Sequence, residues 1–468
     1  MSAVCVAAVT ACATQPQAVP VPAAPAAAPA PEPVRLPYSS TYQAGGSGVP
    51  ILIRHSTILT GTGTRLDGGD ILIENGRIAA IGSGLAAPTG AEVIDANGRW
   101  VTPGLIDVHS HLGVYPSPSI NAHRDGNEAT DPVTAGVWAE HSLWPQDPGF
   151  EAALQGGVTT MQILPGSANL IGGRGVTVKN VWAPTYQAMK FPGAKQGLKM
   201  ACGENPKRVY GGRQKAPSTR MGNVAGYRQA FADAKDYQEQ WKEYEAKLAV
   251  FEAKTKPDAT PPKPPKRDLR LETLAAAMQG EVLVHNHCYR ADEMATMLDL
   301  AAEFGFRISA FHHGTEAYKL ADRLAADGVC GALWADWWGF KLEAYDGIQE
   351  NIALVDYPAG GCAIVHSDSD EGIQRLNQEA AKAMTRGIRA GLDIPPERAI
   401  RWVTSNPARS LGIEAQTGTL EAGKMADVVI WNGNPFSVYA LADQVYVDGV
   451  LRFDRAHPSA KPRSDFSL

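Results

Sequence analysis

The sequence predicts an α/β protein: a (β/α)8 TIM-like barrel with a small β-sandwich domain built from both chain ends. Three observations carry this. Short apolar runs alternate with helical stretches through the middle of the chain, at 101–108, 158–164, 197–202, 281–287, 307–312, 329–334 and 362–367. Both ends instead alternate apolar and polar residues around glycine turns. Histidines collect where the central runs finish, and active sites of such barrels sit at the C-terminal ends of the strands.

Taken in order, residues 1–14 are small and apolar and contain Val9-Thr10-Ala11-Cys12. An apolar residue three before a cysteine, with small residues between, reads as a lipoprotein-type signal with Cys12 as the lipidated residue. The run lacks the basic start of a signal peptide, so the start codon is open to lie upstream; the bland alternative is an arbitrary leader. Residues 15–47 begin as an Ala/Pro-rich tether, a composition that cannot bury a core. Signal and tether together place the protein in the cell envelope, periplasmic or on the outer membrane, touching membrane only through an N-terminal lipid anchor.

Residues 48–100 and 411–455 read as the β-sandwich. Asn75-Gly76 between apolar runs is a hairpin signal. Asp427-Val428-Val429-Ile430-Trp431 and the run from Val445 to Leu451 are its later strands. Neither end can form a core alone, so the two are expected to pair. Residues 456–468 are a tail.

Residues 101–410 read as the barrel, because strand–helix alternation of this length means a parallel sheet with helices outside. The third strand is expected within 174–182. An insertion at about 225–268 carries Tyr237, Trp241, Tyr244, Leu248 and Phe251 at helical spacing. It packs on the barrel rim or forms a lid or dimer contact. Cys202, Cys288, Cys330 and Cys362 each sit on or just after an apolar run and read as buried free thiols.

Composition narrows the function. The chain is 44% hydrophobic and 20% charged with net charge −6, which leaves no electrostatic footprint for nucleic acid. No interior segment has the roughly 20 apolar residues of a membrane span.

The chemistry sits at the strand ends. His109 and His111 close the first run two residues apart, so both imidazoles leave one face. Lys199 lies on the fourth. His285 and His287 end the fifth, His312 and His313 the sixth, and His366-Ser367-Asp368 the eighth. Imidazole and carboxylate suit zinc, with iron or manganese as alternatives. A metal-bound water becomes a nucleophile near neutral pH, and Asp368 is placed to take its proton. A lysine fits such a site only as a negatively charged carbamate.

The motifs from Pro103 to His111, Asn406-Pro407-Ala408, and Gly418 to Asp427 resemble the metal-dependent amidohydrolase superfamily over about residues 48–455. The imidazolonepropionase-like and prolidase-like branch is most similar. The resemblance implies two divalent ions, with His109, His111 and Asp368 on the more buried one. It implies Lys199 as a bridging carbamate and His287 and His313 on the second ion. His285 remains an alternative to His287, because the two face the same way; His312 and His313 face opposite ways, so only one of them is expected as a ligand, and His312 remains an alternative to His313. Glu204 rivals Lys199 as the bridge, and His366 reads as a group behind the ligands. His123 and His141 read as packing or surface residues.

Two loops are expected to face substrate: 165–173, with Asn169, and the segment carrying Lys207, Arg208 and Tyr210. Trp334, Trp337 and Trp338 wall an apolar pocket or simply pack. The expected reaction is hydrolysis of an amide-type C–N bond in a small molecule, a dipeptide, N-acyl amino acid or cyclic amide. A deaminase, a lactonase and a non-catalytic lipid-anchored binding protein are the rivals. Homo-oligomer formation stays open.

Overall fold

The computed structural model describes residues 38–46, 48–253, 260–337 and 339–457. The signal, most of the tether, Trp338, part of the Pro/Lys stretch after the long helix and most of the tail lie outside them. Both sheets and all the helices described below belong to the unit Ser40–Leu468.

The chain ends do pair. One continuous sheet runs Val450–Asp454, Ala442–Val447, Val428–Trp431, Trp100–Pro103, Ile51–Leu59, Arg65–Glu74, Arg77–Gly82, with Glu92–Asp95 also on Ile51–Leu59. It encloses its own apolar cluster, including Ile53, Ile58, Ile71, Val101, Val428 and Ile430. Asn75 and Gly76 form the expected hairpin turn, both with positive φ (51° and 74°).

The barrel strands are Leu105–Ser110, Val158–Ile163, Ile171–Lys179, Gly197–Ala201, Leu283–Cys288, Ile308–His313, Cys330–Leu333 and Ala363–Val365, neighbours in that order. The first and last are joined outside the ladder, where Asp368 N–H donates to His109 O (3.0 Å) and Ser367 Oγ bonds Asp107. The barrel is nearly closed.

Three expectations are corrected by the structure. The third strand runs antiparallel to both neighbours. Only residues 164–170 link it to the second, and a parallel return needs a crossover of a dozen residues or more. The run 101–108 is not one strand. Its first half joins the terminal sheet through Val428–Trp431 and its second half enters the barrel. Gly104 is the junction, where a Cβ would come within 2.1 Å of Thr159 Oγ1. Finally, the four central cysteines are two disulfides, Cys202–Cys288 and Cys330–Cys362 (Cα–Cα 5.3 and 4.6 Å). Each joins neighbouring parallel strands, whose spacing of about 4.8 Å brings Cα atoms into bridging range.

The insertion is a single helix, Arg220–Ala253. Tyr227, Ala230, Phe231, Ala234 and Tyr237 are buried. Trp241, Tyr244, Leu248 and Phe251 are half-buried, and the helix is tied to Leu269–Met278 where Tyr237 Oη meets Glu272 Oε1 (3.4 Å) and Gln238 Nε2 donates to Ala275 O (3.3 Å). Among the described residues no helix is long and apolar enough to cross a membrane.

Candidate active site

The first barrel strand delivers His109 and His111 together. Asp368 Oδ1 meets both, 3.0 Å from His111 Nε2 and 3.4 Å from His109 Nε2. The left-handed backbone of Asp368 (φ 53°) and its N–H bond to His109 O hold it against that strand. His111 Nδ1 donates to Leu164 O (2.8 Å), which fixes the ring with Nε2 toward Asp368.

The sixth strand departs from expectation. His312 and His313 both enter the histidine cluster, because His313 has φ 71° and breaks the alternation of the strand. His312 Nδ1 lies 2.9 Å from His109 Nδ1, and its Nε2 lies 3.0 Å from His285 Nδ1. His285, His312 and His109 therefore form a row of buried imidazoles, with His312 behind His109. His313 Nδ1 is 2.9 Å from His366 Nε2 and 3.9 Å from Asp368 Oδ2.

His287 Nδ1 meets Ser167 Oγ (2.9 Å). His287 Nε2, His285 Nε2 and His366 Nδ1 are buried with no hydrogen-bond partner. Lys199 is fully buried, donates to Pro165 O (3.1 Å) and stands 3.2 Å from His109 Nε2.

Burial sets the protonation states. It drives His109, His287, His312 and His313 well below the usual imidazole value, His285 to about 3 and His366 to about 4. These six imidazoles are therefore neutral, the form that binds metals. Burial lowers Lys199 to about 8, with the Asp368 charge opposing. For Asp368 burial pulls upward, but the His111 hydrogen bond and the Lys199 charge hold it below the usual carboxylate range.

Two donor groups converge within 4.8 Å: His109, His111 and Asp368, and His109, His313 and His366. Neutral imidazoles, a carboxylate and unpartnered buried ring nitrogens fit a divalent cation. His366 was expected behind the ligands, yet it shares a donor group. Its signal was its spacing of two from Asp368, the same spacing that pairs His109 with His111.

Other expected residues do different work. Asn169 Nδ2 donates to Glu128 O, Asp131 O and Thr134 Oγ1, and Tyr210 Oη donates to Asp131 O (2.7 Å). Both are buried, and Asn169 Nδ2 and Tyr210 Oη anchor the 128–134 loop, while Asn169 Oδ1 is buried with no hydrogen-bond partner among the described residues. Arg208 is exposed on the helix Glu204–Gly211. The Glu204 carboxylate pairs with Lys341 (3.3 Å). His141 stacks on Trp138 and His123 packs against Trp144, each 5.2 Å between ring centres.

Asp107 went unnoticed in the sequence. Its carboxylate takes Ser367 Oγ and His109 N–H (3.1 Å), joining the first and last strands beneath the site, and burial pushes it up to about 7. Its position inside an apolar strand was the available signal.

A barrel carrying a histidine–carboxylate centre at its strand ends defines a class of metal-site proteins, and the comparisons place the chain within it. Residues 359–452 match the amidohydrolase family. The crystal structure of an amidohydrolase from Thermotoga maritima MSB8 is similar at 36% identity, covering 86% of this chain and 100% of that one, with a TM-score of 0.76. The amidohydrolase tasK of Hapsidospora irregularis is 34% identical over 90% of this chain. The match covers 45% of tasK, so the chain spans under half that relative's length. An imidazolonepropionase of Caulobacter vibrioides is 27% identical over 78% of this chain and 88% of its own. The chain belongs to the metal-dependent amidohydrolase superfamily.

Proposed function

We propose that the protein is a metal-dependent hydrolase of amide-type C–N bonds in small molecules: a dipeptide, an N-acyl amino acid or a cyclic amide. The observation that carries this is Asp368 Oδ1 set against both His109 Nε2 and His111 Nε2 in a cluster of buried imidazoles. The family and the amidohydrolase and imidazolonepropionase relatives support it.

We assign His109, His111 and Asp368 to one divalent ion and His287 and His313 to a second, zinc before iron or manganese. Bound there, the ions would supply Lewis acidity and water of pKa near about 7. Lys199 would hold the ions as a carbamate: its neutral amine would add carbon dioxide and release a proton, which converts a repelling cation into an anionic ligand. His312 holds His109 from behind and Ser167 holds His287, so the ring nitrogens needed for ligation face inward. Asp368 takes the proton of the attacking water and returns it to the leaving nitrogen.

The cell-envelope location rests on the Cys12 motif. Two disulfides suit an oxidising compartment.

The test is a hydrolysis screen of dipeptides, N-acyl amino acids and cyclic amides with zinc-loaded protein, with and without chelator. Chelator-sensitive release of an amine is expected. Inactivity on all three, with turnover of an aminated heterocycle, overturns the reading in favour of a deaminase.

A further inference from the structure

We infer that the loop after the seventh barrel strand carries a subsite for an aromatic group of the substrate, selected by Trp337 and Phe340. The inference rests on the hydrolase reading above and specifies its substrate class.

The subsite starts at the candidate ligands. Trp334, directly after the strand, stacks on His313 (centroids 4.4 Å, 29°) and on His366 (5.2 Å, 22°). Its Nε1 donates to Ser367 O (3.1 Å), which fixes the ring. Tyr289, one residue past the fifth strand, stands edge-on to His287 (4.7 Å, 89°) and stacks near His313 (5.7 Å, 27°). Both rings are buried and form a wall against the imidazoles.

The wall continues into solvent. Trp337 lies 5.3 Å from Trp334, and Phe340 lies 5.9 Å from Trp334 and 6.1 Å from Tyr289. They are 44% and 58% exposed. Single exposed aromatics are ordinary. Two of them, seated on buried rings that touch the catalytic histidines, make an apolar approach to the reacting centre. One border is polar: Lys341 Nζ sits 4.1 Å over the Tyr289 ring and pairs with Glu204 (3.3 Å).

An aromatic ring on the substrate would stack offset on Trp337 and Phe340 and release water from all three. A small polar amide would leave both rings wet. The subsite therefore favours aromatic dipeptides and N-acyl amino acids over small cyclic amides.

The test uses zinc-loaded protein and matched pairs: N-acetylphenylalanine against N-acetylglycine, and Phe-Gly and Gly-Phe against Gly-Gly. The aromatic member of at least one pair should be preferred by about tenfold or more in kcat/KM, a ratio typical of apolar-pocket discrimination. Trp337→Ala and Phe340→Ala should each cut that ratio several-fold, mainly through KM, and Trp337→Phe should restore most of it. Hydrolysis with no aromatic preference, or a preference untouched by both alanine variants, overturns the subsite and leaves the hydrolase reading standing. If no pair is hydrolysed, the hydrolase reading fails for these substrates and calorimetric binding decides the subsite. Tighter binding of N-acetylphenylalanine than N-acetylglycine, weakened in Trp337→Ala, supports it; equal binding overturns it.

Discussion

Lys199 Nζ stands 3.2 Å from His109 Nε2, and neither side chain has any exposed surface. Burial has already brought this amine to about 8. A substantial neutral fraction at physiological pH is what carbamate formation requires. Lys199→Ala should reduce bound metal from two equivalents to one or fewer, measured by elemental analysis of purified protein. Unchanged metal content would exclude the bridging lysine.

His312 contacts His109 Nδ1 and is itself held by His285. His312→Leu removes that support, and metal affinity should fall about 10–100-fold. Competition with a chromophoric chelator measures it, with the exposed His141→Ala as control. Equal affinity in both variants would mean His109 is held without its neighbour.

Asp368 joins metal binding to proton transfer. Asp368→Asn should lower kcat by about 10²–10⁴-fold, the usual worth of a positioned acid–base group. Titration with added zinc separates the two roles, since saturating metal should not restore the rate.

A second buried charge cluster lies away from the site. Lys179 Nζ pairs with Asp427 (2.8 Å) and Asp448 (3.0 Å), joining the third barrel strand to the terminal sheet. Lys179→Met leaves two buried carboxylates without their counter-ion and should cost about 3–5 kcal/mol near neutral pH. Burial, then the Asp427 charge, raises the Asp448 pKa, and Lys179 opposes the rise. A raised native pKa contributes stability that is complete below the unfolded value of about 3.9 and lost as pH rises through the native value. Removing Lys179 raises the native value further. The variant's deficit in urea midpoint should therefore be larger at pH 8 than at pH 5, and an equal deficit at both would contradict the assignment.

The disulfide Cys330–Cys362 closes a separation of 32 residues between the seventh and eighth strands. Replacing both cysteines by alanine should lower stability by about 2–4 kcal/mol in urea unfolding. Mass shifts on alkylation before and after reduction should report four protected thiols among the described residues.

Much of the site was legible because strand periodicity is local. The two-residue spacing of His109 and His111 needs only an extended backbone to place both rings on one face, and the structure brings them to Asp368 as expected. The same rule misled at His312 and His313, where a single positive φ cancels the alternation. It also merged two strands across Gly104, since apolar periodicity does not reveal which sheet a residue joins. Asn169 and Tyr210 were expected to face substrate, and Asn169 Nδ2 and Tyr210 Oη instead anchor another loop.

The sequence by itself determined the alternating barrel, the pairing of the chain ends and the inventory of imidazole, carboxylate and lysine at the strand ends. Those follow from local pattern and residue chemistry. Tertiary structure decided the reversed third strand, the two disulfides, the row from His285 through His312 to His109, and the place of His366 among the donors. The third strand reverses because its link to the second is too short for a crossover; the others depend on contacts between residues far apart in the chain, which form only when the barrel brings neighbouring strands within about 5 Å.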